Sequence, residues 1–138
     1  MATNKRDRIK HVRDKAKSAY QKQNCCYICN STESLELHHF SSLTNLLDKW
    51  AKESGYDIST DEGVVAVRDE FIEQHRAQIY DEVVTLCKKH HQLLHQIYGG
   101  KPMLHTAKKQ AMWVEKQKEK YGTKAMDTRE AQPCTGVD

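Results

Sequence analysis

Hydrophobic residues recur along the chain with two spacings, and each spacing predicts a different kind of element. Recurrence every three or four positions predicts helices, which lie over residues 5–23, 43–54, 61–78, 88–98 and 105–121. Alternation with polar residues predicts a short strand in SLELHHF, and a β-branched run predicts a second one in VVTL, residues 83–86. Two short strands among these helices predict an α+β fold that is mostly helical.

Residues with special backbone preferences predict where these elements begin and end. Glycine readily adopts the left-handed conformation that closes a helix. Glycines therefore predict the ends of three helices, at Gly55, Gly99 and Gly122. Ser59 and Glu62 have the spacing of a capping box, in which each side chain bonds a backbone amide at the start of the third helix.

Charge is concentrated at the two ends of this 138-residue chain, whose net charge is only +3. Residues 1–24 carry eight Lys and Arg against two Asp, and residues 101–124 carry seven Lys against two Glu. Residues 40–86 carry four basic against ten acidic side chains. Basic ends around an acidic middle favour a localised surface for a polyanion. The residues expected to contact it are Arg6, Arg8, Arg13, Lys88, Lys89, Lys108 and Lys109.

Composition bounds the class of protein. Hydrophobic residues make up 38% and charged residues 30% of the chain, which predicts one domain with a small core that something else must reinforce. No run approaches the ~18 apolar residues of a membrane span, and the first ten residues lack the apolar segment of a secretion signal. We therefore expect a cytoplasmic protein that contacts no membrane. Five cysteines, an odd number without a secretion signal, indicate metal binding rather than a disulfide framework.

Four residues have the spacing of a structural zinc site. Cys26 and Cys29 are separated by two residues, and so are Cys87 and His90. A two-residue gap lets both side chains of a knuckle or a helix start converge on one ion, and two such pairs complete a tetrahedral site. Cys25 directly precedes Cys26, so a pairing of Cys25 with Cys29 stays open.

A second group of histidines predicts another metal site. His91 and His95 lie four residues apart on one face of a predicted helix and can hold an ion together. His38 and His39 are neighbours on a predicted strand, so they point to opposite faces. One of them can therefore be a ligand while the other lies close by as a general base, which is what metal-assisted hydrolysis requires.

Three motifs together resemble those of a known family. CYIC, LELHHF and TLCKKHHQLLH are similar to the motifs of the zinc-knuckle branch of the HNH endonucleases, and the resemblance covers residues 25–98. It implies a ββα-metal core and a DNA endonuclease that hydrolyses phosphodiesters, by nicking or by cleavage of both strands of double-stranded DNA. It also implies that His39 is the general base. The implied ligands are His38, His91 and His95 for a catalytic Mg²⁺, Mn²⁺, Ni²⁺ or Zn²⁺, and Cys26, Cys29, Cys87 and His90 for a structural Zn²⁺.

The chain departs from this family pattern in two places. Glu82, beside Asp81, stands where the family has the asparagine that orients the base or contacts the metal, so Glu82 is the candidate for that role. A helical insertion at about residues 41–80 separates the two strands. Phage-encoded members carry such insertions, which would place the protein in a bacterial host cell. The expected organisation is a basic N-terminal helix over 1–24, the core over 25–98, a basic C-terminal helix over 99–124 and a flexible tail over 125–138.

Two alternatives to an endonuclease stay open. A non-catalytic, zinc-stabilised DNA-binding module explains the basic ends and the zinc ligands, but it gives the other histidines no role. An accessory subunit of a phage DNA-processing complex would dock a protein partner, or a second copy of the chain, through the helical insertion. Its docking residues would be Trp50, Phe71 and Ile79.

Overall fold

The computed structural model of the protein describes the backbone of residues 5–126 and the side chains of residues 9–121. Its α-helices are α1 (Lys5–Ala16), α2 (Leu43–Ser54), α3 (Asp61–Gln74), α4 (Lys88–Tyr98) and α5 (Ala107–Met126), and its strands are β1 (Leu35–His39) and β2 (Val83–Cys87). With 64% of the structure in helices, the prediction of a mostly helical α+β fold is confirmed. Within the described residues, no helix combines the length and the apolar character needed to cross a membrane.

The two strands form one antiparallel sheet, in which Leu35 pairs with Cys87 and His39 pairs with Val83. In the chain, α2 and α3 lie between the strands, so a long insertion replaces the turn of an ordinary hairpin. α4 begins directly after the last residue of β2, without a loop. The order strand, strand, helix therefore brings the histidines of β1 beside those of α4.

The core consists of two clusters of hydrophobic side chains. The first, called here the helical cluster, joins one face of α1 to the insertion and contains Ile9, Val12, Ala16, Leu43, Leu46, Leu47, Trp50, Ala51, Ile58, Val64, Phe71, Ile72 and Ile79. The second, the sheet cluster, joins the sheet to α4 and α5 and contains Cys26, Ile28, Leu86, Cys87, Leu94 and Val114. Both clusters are small, which suits a fold that metal ligands reinforce.

The insertion packs into the fold through the residues that the accessory-subunit alternative assigns to docking. Trp50, Phe71 and Ile79 are only 7%, 0% and 0% exposed, and all three belong to the helical cluster. A partner cannot reach side chains that are already buried in the protein's own core. The alternative in which these three residues dock a partner is therefore excluded, and as core residues they hold the insertion against α1 instead.

The start of α3 differs by one residue from the predicted capping box. Thr60 is the N-cap, and its Oγ1 accepts a hydrogen bond from the Gly63 amide at 3.1 Å. Ser59 instead donates its hydroxyl to the Asp57 carboxylate at 2.6 Å. A carboxylate two residues away is a strong acceptor, so it takes the Ser59 hydroxyl from the helix and leaves capping to the next residue.

Two predicted helices are shorter than their hydrophobic pattern indicates. α1 ends at Ala16, and a 3-10 turn over Lys17–Ala19 takes up part of the predicted remainder. α3 ends at Gln74, and a π-helical turn over Ala77–Asp81 follows it. The wider turn buries the side chain of Ile79 completely in the helical cluster. Periodicity alone does not distinguish this turn from a continuing α-helix, since both are helical.

α5 is longer than predicted. After a 3-10 turn at Leu104–Thr106 it runs through Gly122 to Met126. The prediction that Gly122 ends this helix is wrong, because a single glycine inside a helix costs only ~1 kcal/mol. Residues 127–138, which make up most of the predicted tail, lie outside the described residues.

Gly63→Ala is expected to destabilise the protein, because a methyl group there would collide with the backbone carbonyl of Asp57. Overpacking of this kind costs about 1–3 kcal/mol, which exceeds the gain in helix propensity. Urea unfolding followed by circular dichroism measures the difference. Gly100→Ala is the matched control, since no atom lies within 4 Å of a Cβ placed there and its effect should stay within about 0.5 kcal/mol. Equal free energies of unfolding for the two variants would contradict the close approach at Gly63.

Candidate metal centres and the adjoining cavity

The structure brings together all four residues of the predicted zinc site, called here the cysteine cluster. The ligand atoms of Cys26, Cys29, Cys87 and His90 all lie within 4.8 Å of one another. The Sγ atoms of Cys29 and Cys87 are 3.8 Å apart. In a tetrahedral site, Zn–S bonds of ~2.3 Å place two sulfurs about 3.8 Å apart. His90 Nδ1 lies 3.2 Å from Cys87 Sγ and 4.0 Å from Cys26 Sγ. The cluster therefore has the ligand set and the spacing for a metal such as zinc.

Local backbone bonds explain why the knuckle presents its two cysteines to β2. The Cys26 amide donates to the Ser31 carbonyl at 2.8 Å, and the Asn30 amide donates to the Cys26 carbonyl at 2.9 Å. Asn30 closes this loop with a φ of 62°, a left-handed conformation that asparagine tolerates better than most residues. The Tyr27 amide then donates to the Thr85 carbonyl at 2.9 Å, which attaches the knuckle to the sheet.

Cys26 rather than Cys25 contributes to the cysteine cluster. Cys25 is absent from the group of converging ligand atoms, and its Sγ lies 3.7 Å from Asn30 Oδ1 instead. The open alternative of a Cys25–Cys29 pair is therefore wrong. Neighbouring residues in an extended knuckle point in different directions, so only one of the two adjacent cysteines can face the cluster.

Burial shifts the protonation equilibria of two residues in the cysteine cluster. Burial raises the pKa of the Cys29 thiol to about 11, and burial also lowers the pKa of His90. Without a metal, the partly buried Cys29 therefore keeps its proton at neutral pH, whereas thiolate is the form that binds metal. A metal ion replaces that proton, so metal affinity and folding stability are coupled at this site.

Cys29→Ala is expected to remove the metal from the cysteine cluster and to lower the melting temperature. Structural zinc contributes ~10–16 kcal/mol of apparent binding free energy in small modules, so its loss should be large compared with one buried side chain. Elemental analysis of the purified protein and thermal unfolding measure both effects. A chelator should destabilise the wild type strongly and the variant hardly further. A variant that melts like the wild type would contradict a structural metal here.

Three histidines form a second group, called here the histidine cluster. His38 belongs to β1, while His91 and His95 lie one turn apart on α4. His91 Nε2 is 3.1 Å from His38 Nδ1 and 3.0 Å from His95 Nε2. The three inner nitrogens lie within 4.8 Å of one another. The predicted ligands of the catalytic ion are thus brought together in the fold.

The outer nitrogen of each ring in the histidine cluster bonds to an acceptor. His38 Nε2 donates to Gln110 Oε1 at 2.8 Å. His91 Nδ1 donates to the Glu36 carboxylate at 2.7 Å, and His95 Nδ1 donates to the Gly99 carbonyl at 2.8 Å. None of these three oxygens carries a hydrogen, so the proton of each neutral ring must lie on its outer nitrogen.

The inner nitrogens are consequently three lone pairs directed at one another. Such an arrangement is repulsive unless a cation or a proton lies between the rings. Protonation is opposed by the surroundings, since burial lowers the pKa of His38 to about 3 and also lowers the pKa of His91. A metal ion resolves the repulsion, and metal-bound histidines characteristically donate their other N–H to a carboxylate or a carbonyl. The residues present therefore fit a divalent cation.

His39 follows His38 on β1 but points away from the histidine cluster. Its Nε2 donates to the carbonyl of Ile79 at 2.9 Å, which leaves Nδ1 with the lone pair. Its ring also contacts Tyr20, with ring centroids 5.2 Å apart. Burial lowers the pKa of His39 to about 4. His39 is therefore a neutral, oriented imidazole at neutral pH.

A cavity of about 340 Å³ adjoins both His39 and the histidine cluster. α1 contributes Arg13, and the loop after α4 contributes Lys101. The start of α2 lines the cavity with Ser42, Leu43 and Thr44. Among the described residues that line the cavity, none is acidic. A neutral imidazole, a group of metal ligands and two cations thus share a space that can take an anion.

The residues predicted to contact a polyanion lie in several places. Arg13 lines the cavity, whereas Lys88 and Lys89 line a hollow beside the cysteine cluster. Lys108 and Lys109 are exposed on α5. The side chains of Arg6 and Arg8 lie outside the described residues.

The sequence did not indicate Lys101, Gln110 or Glu36 as site residues. Lys101 follows two glycines in a loop, and Gln110 lies on a helix distant in sequence from the histidines. Glu36 carried a usable signal, because it stands two residues before His38 and so lies on the same face of β1.

Glu82 does not orient His39, although it stands where the family resemblance expects that residue. Its side chain is exposed, and its backbone ends the π-helical turn by bonding to Ala77 and Phe40. The hydrogen bond that orients His39 comes from the Ile79 carbonyl. A role for Glu82 beyond that of its backbone stays a prediction.

The fold thus presents two clusters of residues that fit a metal ion, with a cationic cavity beside one of them. The chain belongs to the phage T5 nicking endonuclease family, because the model of this nicking endonuclease family matches residues 1–136. The prediction of a phage DNA endonuclease is confirmed at this level. No solved structure matches the chain.

Proposed function

We propose that the protein is a metal-dependent DNA nicking endonuclease of the HNH type, in which His39 is the general base. One observation carries this proposal. The three residues of the histidine cluster and His39 line one cavity, which Arg13 and Lys101 also line. A scissile phosphate in that cavity would meet a metal site, a base and positive charge together.

His39 would accept the proton of the attacking water. The Ile79 carbonyl holds the proton of the ring on Nε2, so Nδ1 is the nitrogen that can receive another. Contact with the Tyr20 ring limits rotation of the imidazole. A base that is already oriented needs no reorganisation when the water attacks, which is where positioning lowers a barrier.

A divalent cation held by His38, His91 and His95 would stabilise the negative charge that develops on the phosphate. Three imidazoles favour Zn²⁺ and Ni²⁺, whereas Mg²⁺ prefers oxygen ligands. We therefore rank Ni²⁺ and Zn²⁺ above Mn²⁺ and Mg²⁺ as ions for this site. Cys26, Cys29, Cys87 and His90 would hold a structural zinc, since all four positions of that tetrahedron are protein ligands.

Arg13 and the basic helices would contact DNA phosphates. Arg13 lines the cavity, and Lys108 and Lys109 are exposed on α5 in the other basic segment. A non-catalytic DNA-binding module needs only the cysteine cluster and these cations. It gives no reason for the histidine cluster or for the orientation of His39, so the endonuclease is the better account.

His39→Ala is expected to lower the rate of plasmid nicking about 10²–10⁴-fold, which is the usual contribution of a general base. Conversion of supercoiled plasmid to open circles, with Mn²⁺, Ni²⁺, Zn²⁺ and Mg²⁺ tested separately, measures the rate. DNA affinity and zinc content should stay at wild-type values, because His39 belongs to neither ligand cluster. His105→Ala, at an exposed histidine, is the matched control and should nick like the wild type.

Three outcomes decide between the functions. Undiminished nicking by His39→Ala would remove the general base from the proposal. Linear plasmid as the first product would contradict nicking in favour of cleavage of both strands. DNA binding by the wild type without nicking in any of the four metals would favour the non-catalytic module.

Arg13→Gln is expected to weaken DNA binding and to make it less dependent on salt. Each phosphate contact contributes about 0.9 to the slope of log affinity against log salt on duplex DNA, so the slope should fall by about one. Fluorescence anisotropy at several salt concentrations measures it. Arg76→Gln is the matched control, because Arg76 lies in the acidic insertion and pairs with Glu73 at 3.6 Å. An identical slope for Arg13→Gln and the wild type would exclude a phosphate contact.

A further inference from the structure

The loop after α4 forms one wall of the cavity and contacts the histidine cluster. The Gly99 carbonyl accepts the hydrogen bond from His95 Nδ1 at 2.8 Å. Gly100, Lys101 and Pro102 follow and line the cavity. One short segment therefore both orients a candidate metal ligand and presents a cation beside the metal site.

Asn45, in the first turn of α2, fastens this loop from the opposite wall. Its Nδ2 donates to the Lys101 carbonyl at 3.3 Å and to the Pro102 carbonyl at 3.0 Å. Both hydrogens of the side-chain amide are thereby used on neighbouring carbonyls of the loop. The backbone amide of Asn45 bonds separately to the Ser42 side chain at 3.3 Å, so the side chain is not needed to cap α2.

We propose that Asn45 is a positioning residue of the histidine cluster, and that the loop it fastens presents Lys101 to a phosphate of the DNA backbone. The proposal rests on the proposed function in taking DNA as the substrate. It gives the helical insertion a task within the site, namely to hold the loop that orients His95 and to complete the cavity around the phosphate.

The backbone of the loop makes such a fastening necessary. Gly99 has a φ of 95°, and a second glycine follows it, so this stretch has more conformational freedom than any other pair of residues would allow. Without the bonds to Asn45, the Gly99 carbonyl could move away from His95. Loss of the hydrogen-bond partner of a metal-binding histidine, which is the Gly99 carbonyl here, typically costs 10–100-fold in metal affinity.

The charges around the cavity favour an anion at Lys101. Residues 40–86 contain ten acidic side chains, yet the start of α2 contributes only the uncharged Ser42, Leu43 and Thr44 to the lining. Arg13 is the other cation of the lining and comes from α1. Two cations from separate elements, with no acidic neighbour in the described lining, suit a phosphodiester that crosses the cavity.

The test compares Asn45→Asp, Lys101→Gln and the control Glu53→Gln, an exposed position on α2. Asparagine and aspartate have the same shape, but aspartate cannot donate to the two carbonyls. Ni²⁺ binding to zinc-loaded protein without DNA, measured by calorimetry, reports on the histidine cluster independently of activity. The salt dependence of DNA binding and the KM and kcat of plasmid nicking report on the phosphate.

Asn45→Asp should weaken Ni²⁺ binding about 10–100-fold and raise KM, while the cysteine cluster keeps its zinc. Lys101→Gln should leave Ni²⁺ affinity unchanged and reduce the salt slope of DNA binding by about one. Glu53→Gln should change neither. Wild-type Ni²⁺ affinity in a folded Asn45→Asp protein would overturn the positioning role, and an unchanged slope for Lys101→Gln would overturn the phosphate contact.

Three further comparisons keep the test decisive. If Asn45→Asp does not fold, Asn45→Ala removes the donor without adding charge, and the same Ni²⁺ affinities decide the question. If the wild type does not nick plasmid, the proposed function fails, whereas the Ni²⁺ and salt measurements still judge Asn45 and Lys101. If His39→Ala nicks normally but Asn45→Asp loses Ni²⁺, the base is wrong and the positioning role stands.

Discussion

The structure depends on the convergence of two groups of metal-ligating side chains, one of three cysteines with a histidine and one of three histidines. The junction between β2 and α4 supplies both clusters, since Cys87 and His90 face one and His91 faces the other. Adjacent residues at the start of a helix are separated by about 100°, so a single turn can direct side chains to two sites. The positions of the knuckle, the sheet and α4 relative to one another follow from this junction.

Burial determines the protonation state of ligands at these sites. The small sheet cluster surrounds the cysteine ligands, and Gln110 bonds His38 from a completely buried position on α5. Burial lowers the pKa of His38 to about 3, which keeps the ring neutral and able to bind metal. The same apolar packing that stabilises the fold therefore prepares the ligands, so core and site are not separable parts of this protein.

Local spacing made much of the site predictable. The contacts made through backbone atoms could not be predicted. Cys26, Cys29, His91 and His95 are recognisable because two-residue and four-residue gaps fix where side chains point. The carbonyls of Ile79 and Gly99 complete the site, but a carbonyl is present in every residue and gives no signal in the sequence. Helix ends were predicted well where a glycine adopts positive φ, as at Gly55, and poorly where a nearby carboxylate competed for the capping hydroxyl.

In the π-helical turn at Ala77–Asp81, one residue contributes both to the core and to the candidate site. Ile79 places its side chain in the helical cluster and its carbonyl on His39. A π turn amounts to an extra residue accommodated within a helix, and here that residue sets the angle at which the carbonyl leaves the chain. A gain or loss of one residue near this turn would displace the Ile79 carbonyl and so misdirect the imidazole. The length of the insertion near β2 is thus constrained by the orientation of His39.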